Sequence, residues 1–178
     1  VIFDAARRSF RNDIYPDYKA HRPPAPEDLV PQFPLIREAT AALGVAHVEM
    51  DGFEADDLIA TYAQQARKQG MRVTIVSSDK DLMQLVEDGV ILYDAMKNKT
   101  IDPDAVFEKF GVAPEKVVEV QALAGDASDN VPGVQGIGEK GAAKLVQEYG
   151  SVEALLTNLD KVKGKARKGT AAALPGMT

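Results

Sequence analysis

Three short runs with strand character, VIF at residues 1–3, VAHVEM at 45–50 and MRVTIV at 71–76, are separated by stretches of helical periodicity. VILY at 90–93 adds a fourth run. Strands that alternate with helices demand a crossover between neighbours, so this pattern predicts an α/β fold: a mainly parallel sheet flanked by helices. Residues 27–43 read as a helix that starts late, at Pro31 or Pro34. Residues 55–69 place Leu58, Ile59, Tyr62, Ala63 and Ala66 on one face and stop at Gly70. KDLMQLV (80–86) reads as a short helix. Beyond about residue 103 the strands stop, and DPDAVFEKF, PEKVVEVQALA, EKGAAKLVQEY and SVEALLTNL all read as helices. The expected organisation is an α/β core over 1–110, then a small all-α region over 111–178 whose tail, ARKGTAAALPGMT, has no clear pattern. Val1 begins inside a strand, so the sequence is expected to be a fragment.

Acidic residues follow these strands. Asp4 follows the first, Glu54, Asp56 and Asp57 the second, and Asp79 and Asp81 the third; Asp126 and Asp129 come from the helical region. Loops after parallel strands emerge at one sheet edge, where ligands bind. Any one cluster, taken singly, is better explained by a helix cap or a partner for the helix dipole than by a ligand role. Together, carboxylates at one edge would repel unless cations compensated them. The chain has no cysteine and two histidines, His21 and His47, so hard oxygen donors dominate and Mg²⁺ or Mn²⁺ is the expected cation. Two such ions about 4 Å apart form the clamp used in phosphoryl displacement.

Net charge is −6, but it is unevenly spread: +2 over residues 1–22, −11 over 23–133 and +3 over 134–178. Basic flanks around an acidic centre are compatible with a phosphate backbone, and equally with a solvated acidic surface. The unpatterned stretch from about residue 7 to 30 carries Arg7, Arg8, Arg11, Lys19 and Arg22 interleaved with Phe10, Tyr15 and Tyr18, a mixture suited to phosphate contact and base stacking. Residues 131–150, VPGVQGIGEKGAAKLVQEYG, hold two glycine-rich turns that feed a helix. Backbone N–H groups at such a place bind phosphate, and Lys140 and Lys144 favour a nucleic-acid backbone over a merely tight helical hairpin. Gly136, Gly138 and Gly141 match GxGxxG, but Pro132 and Gly133 precede them where a dinucleotide site needs a strand. No apolar run approaches the ~18 residues of a membrane span.

VIFDAARRSFRNDIYPDYKAHRP, GFEADDLIA, VSSDKDLMQLV, QALAGDASDNVPGV and GIGEKGAAKLVQEYGSVEALL occur in this order across most of residues 1–156. Together they resemble the 5′-nuclease (5′–3′ exonuclease) domain of bacterial DNA polymerase I, in the flap endonuclease superfamily, with a PIN-like fold. The resemblance implies a metal-dependent phosphodiesterase that cuts DNA at 5′ ends and flaps in replication and repair. It makes Asp4, Glu54 and Asp56 ligands of one Mg²⁺, with Asp57 close by. Asp79, Asp81, Asp126 and Asp129 surround a second, and Asp56 can bridge. Lys19 and Arg22 match arch residues that contact the scissile phosphate, and Arg7, Arg8 and Arg11 belong to the same basic arch. Gly133, Gly136, Gly138, Lys140 and Lys144 fall in a helix–hairpin–helix over about 131–156 that grips duplex DNA, often with K⁺. A polymerase domain in the full-length parent, a monomeric state and a bacterial cytoplasmic, nucleoid-associated location are also implied. Relatives carry an earlier strand with a further acidic ligand, absent here, and ALPGMT departs from their continuation. The alternative expectation is a truncated, inactive module that binds flap DNA, and a third is a Mg²⁺ enzyme of other substrates on a similar sheet.

Overall fold

The computed structural model describes residues 1–161, so the patternless tail from 166 onward lies outside the described residues. The chain divides into two compact units, Val1–Tyr62 and the part from Ala63 onward.

In the first unit, Ile2 forms a parallel bridge with Val48, closed by hydrogen bonds from Phe3 N to Val48 O (2.9 Å) and Val48 N to Val1 O (3.0 Å). The expected strand at 45–50 is therefore realised at a single position. A four-residue helix, α1 (Arg11–Ile14), interrupts the basic loop. Helix α2 spans Gln32–Ala42, starting late as the prolines require: Pro31 precedes it and Pro34 sits in its first turn, where a missing N–H costs nothing. It buries no side chain. Helix α3 (Ala55–Lys68) carries Asp56 and Asp57 in its first turn and Arg67 and Lys68 in its last, each complementing the helix dipole, and Gly70 follows at φ +75°. Among the described residues of this unit only Ser9 and Leu58 are buried.

The second unit holds a three-stranded sheet, β1 (Val73–Val76), β2 (Val90–Asp94) and β3 (Lys99–Ile101). β1 and β2 pair in parallel, Val73 opposite Val90, across a short crossover in which the expected short helix forms at Asp81–Leu85 as a 3₁₀ helix. β3 returns antiparallel, Leu92 opposite Ile101, and was not anticipated. Val90 and Leu92 are fully buried at alternate positions, as a strand's two-residue period requires. Helix α4 (Pro103–Phe110) is capped by Asp102, which accepts from Ala105 N at 2.9 Å, and ends at Gly111 in the left-handed region. Helices α5 (Val117–Ala124), α6 (Glu139–Tyr149) and α7 (Val152–Thr157) bury Val117, Val120, Leu123, Ala142, Val146 and Leu155 against one another. The fold is thus a mixed sheet with flanking helices, followed by a helical layer.

Candidate functional site

The start of α3 gathers the first acids. Asp4 Oδ1 accepts the Ala55 N–H at 2.7 Å, and Asp57 reaches back to the Glu54 N–H at 2.9 Å. Both therefore satisfy orphan donors of the helix terminus, as a cap does. Capping does not exhaust their roles, because the same carboxylates carry cationic partners. Arg11 forms a bidentate pair with Asp57, at 2.8 and 2.7 Å. Lys19 Nζ lies 2.7 Å from Glu54 Oε2; Tyr18 OH donates to the same oxygen at 3.1 Å, and buried Ser9 donates to Oε1 at 2.9 Å. Burial pushes the Glu54 carboxyl up, but the Lys19 and Ser9 hydrogen bonds outweigh it and hold the group below its ordinary range. Asp57 is held low chiefly by Arg11. Lys19 and Arg11 are correspondingly held charged. Asp56 is half-buried in the first turn of α3.

Of the other basic residues of this unit, Arg7, Arg8 and Arg22 are exposed, while half-buried Arg37 pairs with Glu49 and donates to the Asp4 carbonyl at 2.9 Å. Arg7 donates to the Arg22 carbonyl, and Arg8 makes a loose 3.8 Å pair with Asp13. Arg7, Arg8, Asn12, Tyr18 and Lys19 help line an open concavity of about 500 Å³, a size suited to a nucleotide.

The second unit gathers the other acids after β1 and around the 126–131 turn. Asp79 Oδ1 accepts the Asp81 N–H at 2.9 Å, and Asp81 Oδ1 accepts from Gln121 Nε2. Lys80 Nζ stands 2.8 Å from Asp126 Oδ2 as an ion pair, while Ser128 donates to Oδ1 from its backbone at 2.7 Å. Burial opposes charge on Asp126, yet Lys80 and Ser128 bring its pKa to about 2. Asp81 moves the opposite way: burial raises it, and the charges of Asp79 and Asp126 add to the rise. Asp129 lies in the same turn, its N–H on the Asp126 carbonyl at 3.3 Å.

The glycines of the hairpin divide by role. A Cβ on Gly133 would meet the Ala124 carbonyl oxygen at 2.2 Å, so this glycine serves a backbone crossing. Gly136 needs φ +82°, and Gly138 opens α6 with free space where a Cβ would stand. Lys140 and Lys144 are exposed on the helix that follows.

The carboxylates are hard oxygen donors, and three of them already hold a protein cation at 2.7–2.8 Å: Lys19 on Glu54, Arg11 on Asp57 and Lys80 on Asp126. Positive charge fits these places, as it would fit a divalent ion. Among the described residues no three carboxylates or imidazoles are drawn together around one metal-sized point. Sequence reasoning missed Ser9, Lys80, Gln121 and Ser128. Lys80 had a signal, a lone cation between two aspartates; the Ser9 contact spans 45 positions and had none.

Residues 1–111 match the family described as 5′–3′ exonuclease, N-terminal resolvase-like domain, and residues 112–174 match 5′–3′ exonuclease, C-terminal SAM fold. The chain is 55% identical to DNA polymerase I of Rhizobium leguminosarum over 170 residues, covering 96% of this chain and 17% of that protein. It is 50% identical to the thermostable DNA polymerase I of Thermus thermophilus, covering 92% of this chain and 19% of the relative. The chain thus spans under a fifth of these relatives' length. Among solved structures, the bacteriophage T5 flap endonuclease, in a pseudo-enzyme–product complex with DNA and metal ions, superposes with a TM-score of 0.84 at 25% identity, covering 97% of this chain and 68% of that one. On the fold, the two family matches and these identities, the chain belongs to the 5′–3′ exonuclease family.

Proposed function

We propose that the chain is the 5′-nuclease part of a DNA polymerase I-type enzyme, hydrolysing DNA phosphodiesters at 5′ ends and flaps with two Mg²⁺ ions, replaceable by Mn²⁺. The observation that carries this reading is the pairing of carboxylates with cations at the head of α3 and at Asp126, within a chain whose relatives are DNA polymerases and flap endonucleases. Asp4, Glu54 and Asp56, with Asp57 beside them, would hold one ion; Asp79, Asp81, Asp126 and Asp129 would hold the other. When bound, such ions supply an activated water and steady the leaving oxygen. Lys19 and Arg22 bind the scissile phosphate and offset its growing charge, while Arg7, Arg8 and Arg11 track the single strand. The hairpin from Gly133 to Lys144 holds the duplex backbone, with K⁺ as its cation. We assign the nuclease core to residues 1–110 and the DNA-gripping helices to the remainder. A monomer acting in the bacterial cytoplasm beside its polymerase domain fits this role.

The test is a labelled 5′-flap duplex incubated with the chain and Mg²⁺. Release of the flap, its loss in excess chelator and its loss in the Asp79→Ala/Asp81→Ala variant are expected. Cleavage that survives either treatment refutes the mechanism. Tight flap binding without turnover at high Mn²⁺ would replace it with a binding module.

A further inference from the structure

Three side-chain donors on Glu54 come from one stretch of the basic loop: Ser9, Tyr18 and Lys19. Arg11, from the same stretch, takes both oxygens of Asp57. Asn12 braces the stretch internally, accepting from Ser9 N at 3.0 Å and donating to the Tyr18 carbonyl at 3.1 Å. Phe10 N donates to Gly52 O at 2.9 Å, and the Phe10 ring packs on Phe53 with centroids 5.7 Å apart. Lys19 reaches its carboxylate from φ +55°, a left-handed backbone a lysine rarely adopts without compensating contacts. Residues 9–19 are therefore fastened to the head of α3, and two of the fasteners are cations on Glu54 and Asp57, carboxylates that the proposed function places at or beside a metal ion.

A divalent ion and an ammonium group on the same carboxylate repel each other, and the ion outbids the ammonium for the oxygen. Equally, a lysine committed to Glu54 is not available to a phosphate. We propose that residues 9–19 form a cation-released latch: metal entering at Glu54 and Asp57 displaces Lys19 and Arg11, unfastens the loop and frees both cations for the DNA backbone. The latch deepens the metal-dependent nuclease reading and rests on it. Because linkage is reciprocal, DNA that draws Lys19 and Arg11 away raises metal affinity by the factor by which metal raises DNA affinity. Ser9 and Tyr18 are neutral and remain as positioning groups for the Glu54 carboxylate after the cations leave.

The test is amide hydrogen exchange of peptides covering residues 9–22, with and without Mg²⁺ and without DNA, beside calorimetry of Mg²⁺ binding. Exchange in this stretch should speed up by about fivefold or more on metal saturation, while β1 and β2 are unchanged. Lys19→Met should bind Mg²⁺ several-fold more tightly than wild type, since a competitor has been removed, and should show fast loop exchange without metal. Metal binding that leaves the loop's exchange unchanged overturns the latch alone, as does a Lys19→Met variant whose affinity is equal or weaker. Absence of any calorimetric Mg²⁺ binding by the wild type overturns the metal reading, and the latch with it. The wild-type exchange measurement decides the matter even if the variant folds poorly.

Discussion

Asp81 and Asp126 share a unit and are pushed in opposite directions, which makes their stability effects opposite in sign. Asp126, brought to about pH 2, contributes stability that is present above the ordinary carboxylate range and is lost as pH falls from about 4 towards 2. Lys80→Met should therefore cost on the order of 1–2 kcal/mol at neutral pH and move the acid-unfolding midpoint upward, as followed by circular dichroism. Asp81 is raised by burial and by Asp79 and Asp126, so its charged form at neutral pH opposes folding and relief comes only on protonation. Asp81→Asn keeps an oxygen for Gln121 and removes the repulsion. It should stabilise the metal-free protein by about 0.5–1 kcal/mol in urea melts while weakening Mg²⁺ binding. Destabilisation in chelator would show that Asp81 is a structural acid. These opposed shifts were not legible in the sequence, where the two aspartates look alike; they depend on how deeply Asp81 is buried, on Ser128 and on which carboxylate Lys80 reaches.

At the scale of elements, the helices were legible wherever local chemistry marks an end. Asp102 before Pro103, Gly70 after Lys68 and Ser151 before Val152 place caps and stops where side chains or backbone freedom require them. Elements specified by distant pairing were not. VAHVEM alternates like a strand yet bridges only at Val48, and β3 has just three residues, KTI, whose pairing with β2 no local pattern announces. The hairpin shows the same division among its glycines. Gly133→Ala should cost about 3 kcal/mol or more, because the new methyl meets the Ala124 carbonyl and backbone must move. Gly138→Ala enters open space at φ −99° and should cost under about 1 kcal/mol in denaturant melts. If the α6 terminus grips a phosphate backbone, that same mild substitution should weaken duplex binding several-fold. Full retention of affinity in folded Gly138→Ala would remove the hairpin from the DNA contact.

The molecule as a whole is acidic, at −6, while its proposed partner is a polyanion. Local pairing resolves the conflict and hides part of the basic surface. Lys19 and Arg11 are paired with Glu54 and Asp57, so while so paired they cannot neutralise phosphates. The salt dependence of DNA affinity counts the phosphates a protein neutralises, with a slope of about −0.9 per contact on duplex DNA and about −0.7 on single strands. Lys19→Met should accordingly leave the slope unchanged in chelator, where the lysine is already engaged. In Ca²⁺ it should shallow the slope by about 0.7–0.9, because the lysine has by then been released to the backbone. Comparing the two differences cancels the divalent ion's own screening of the DNA, which acts on wild type and variant alike. An equal loss of slope in both conditions would mean that Lys19 serves DNA whether or not metal is bound, and that its pairing with Glu54 gives way to phosphate without help.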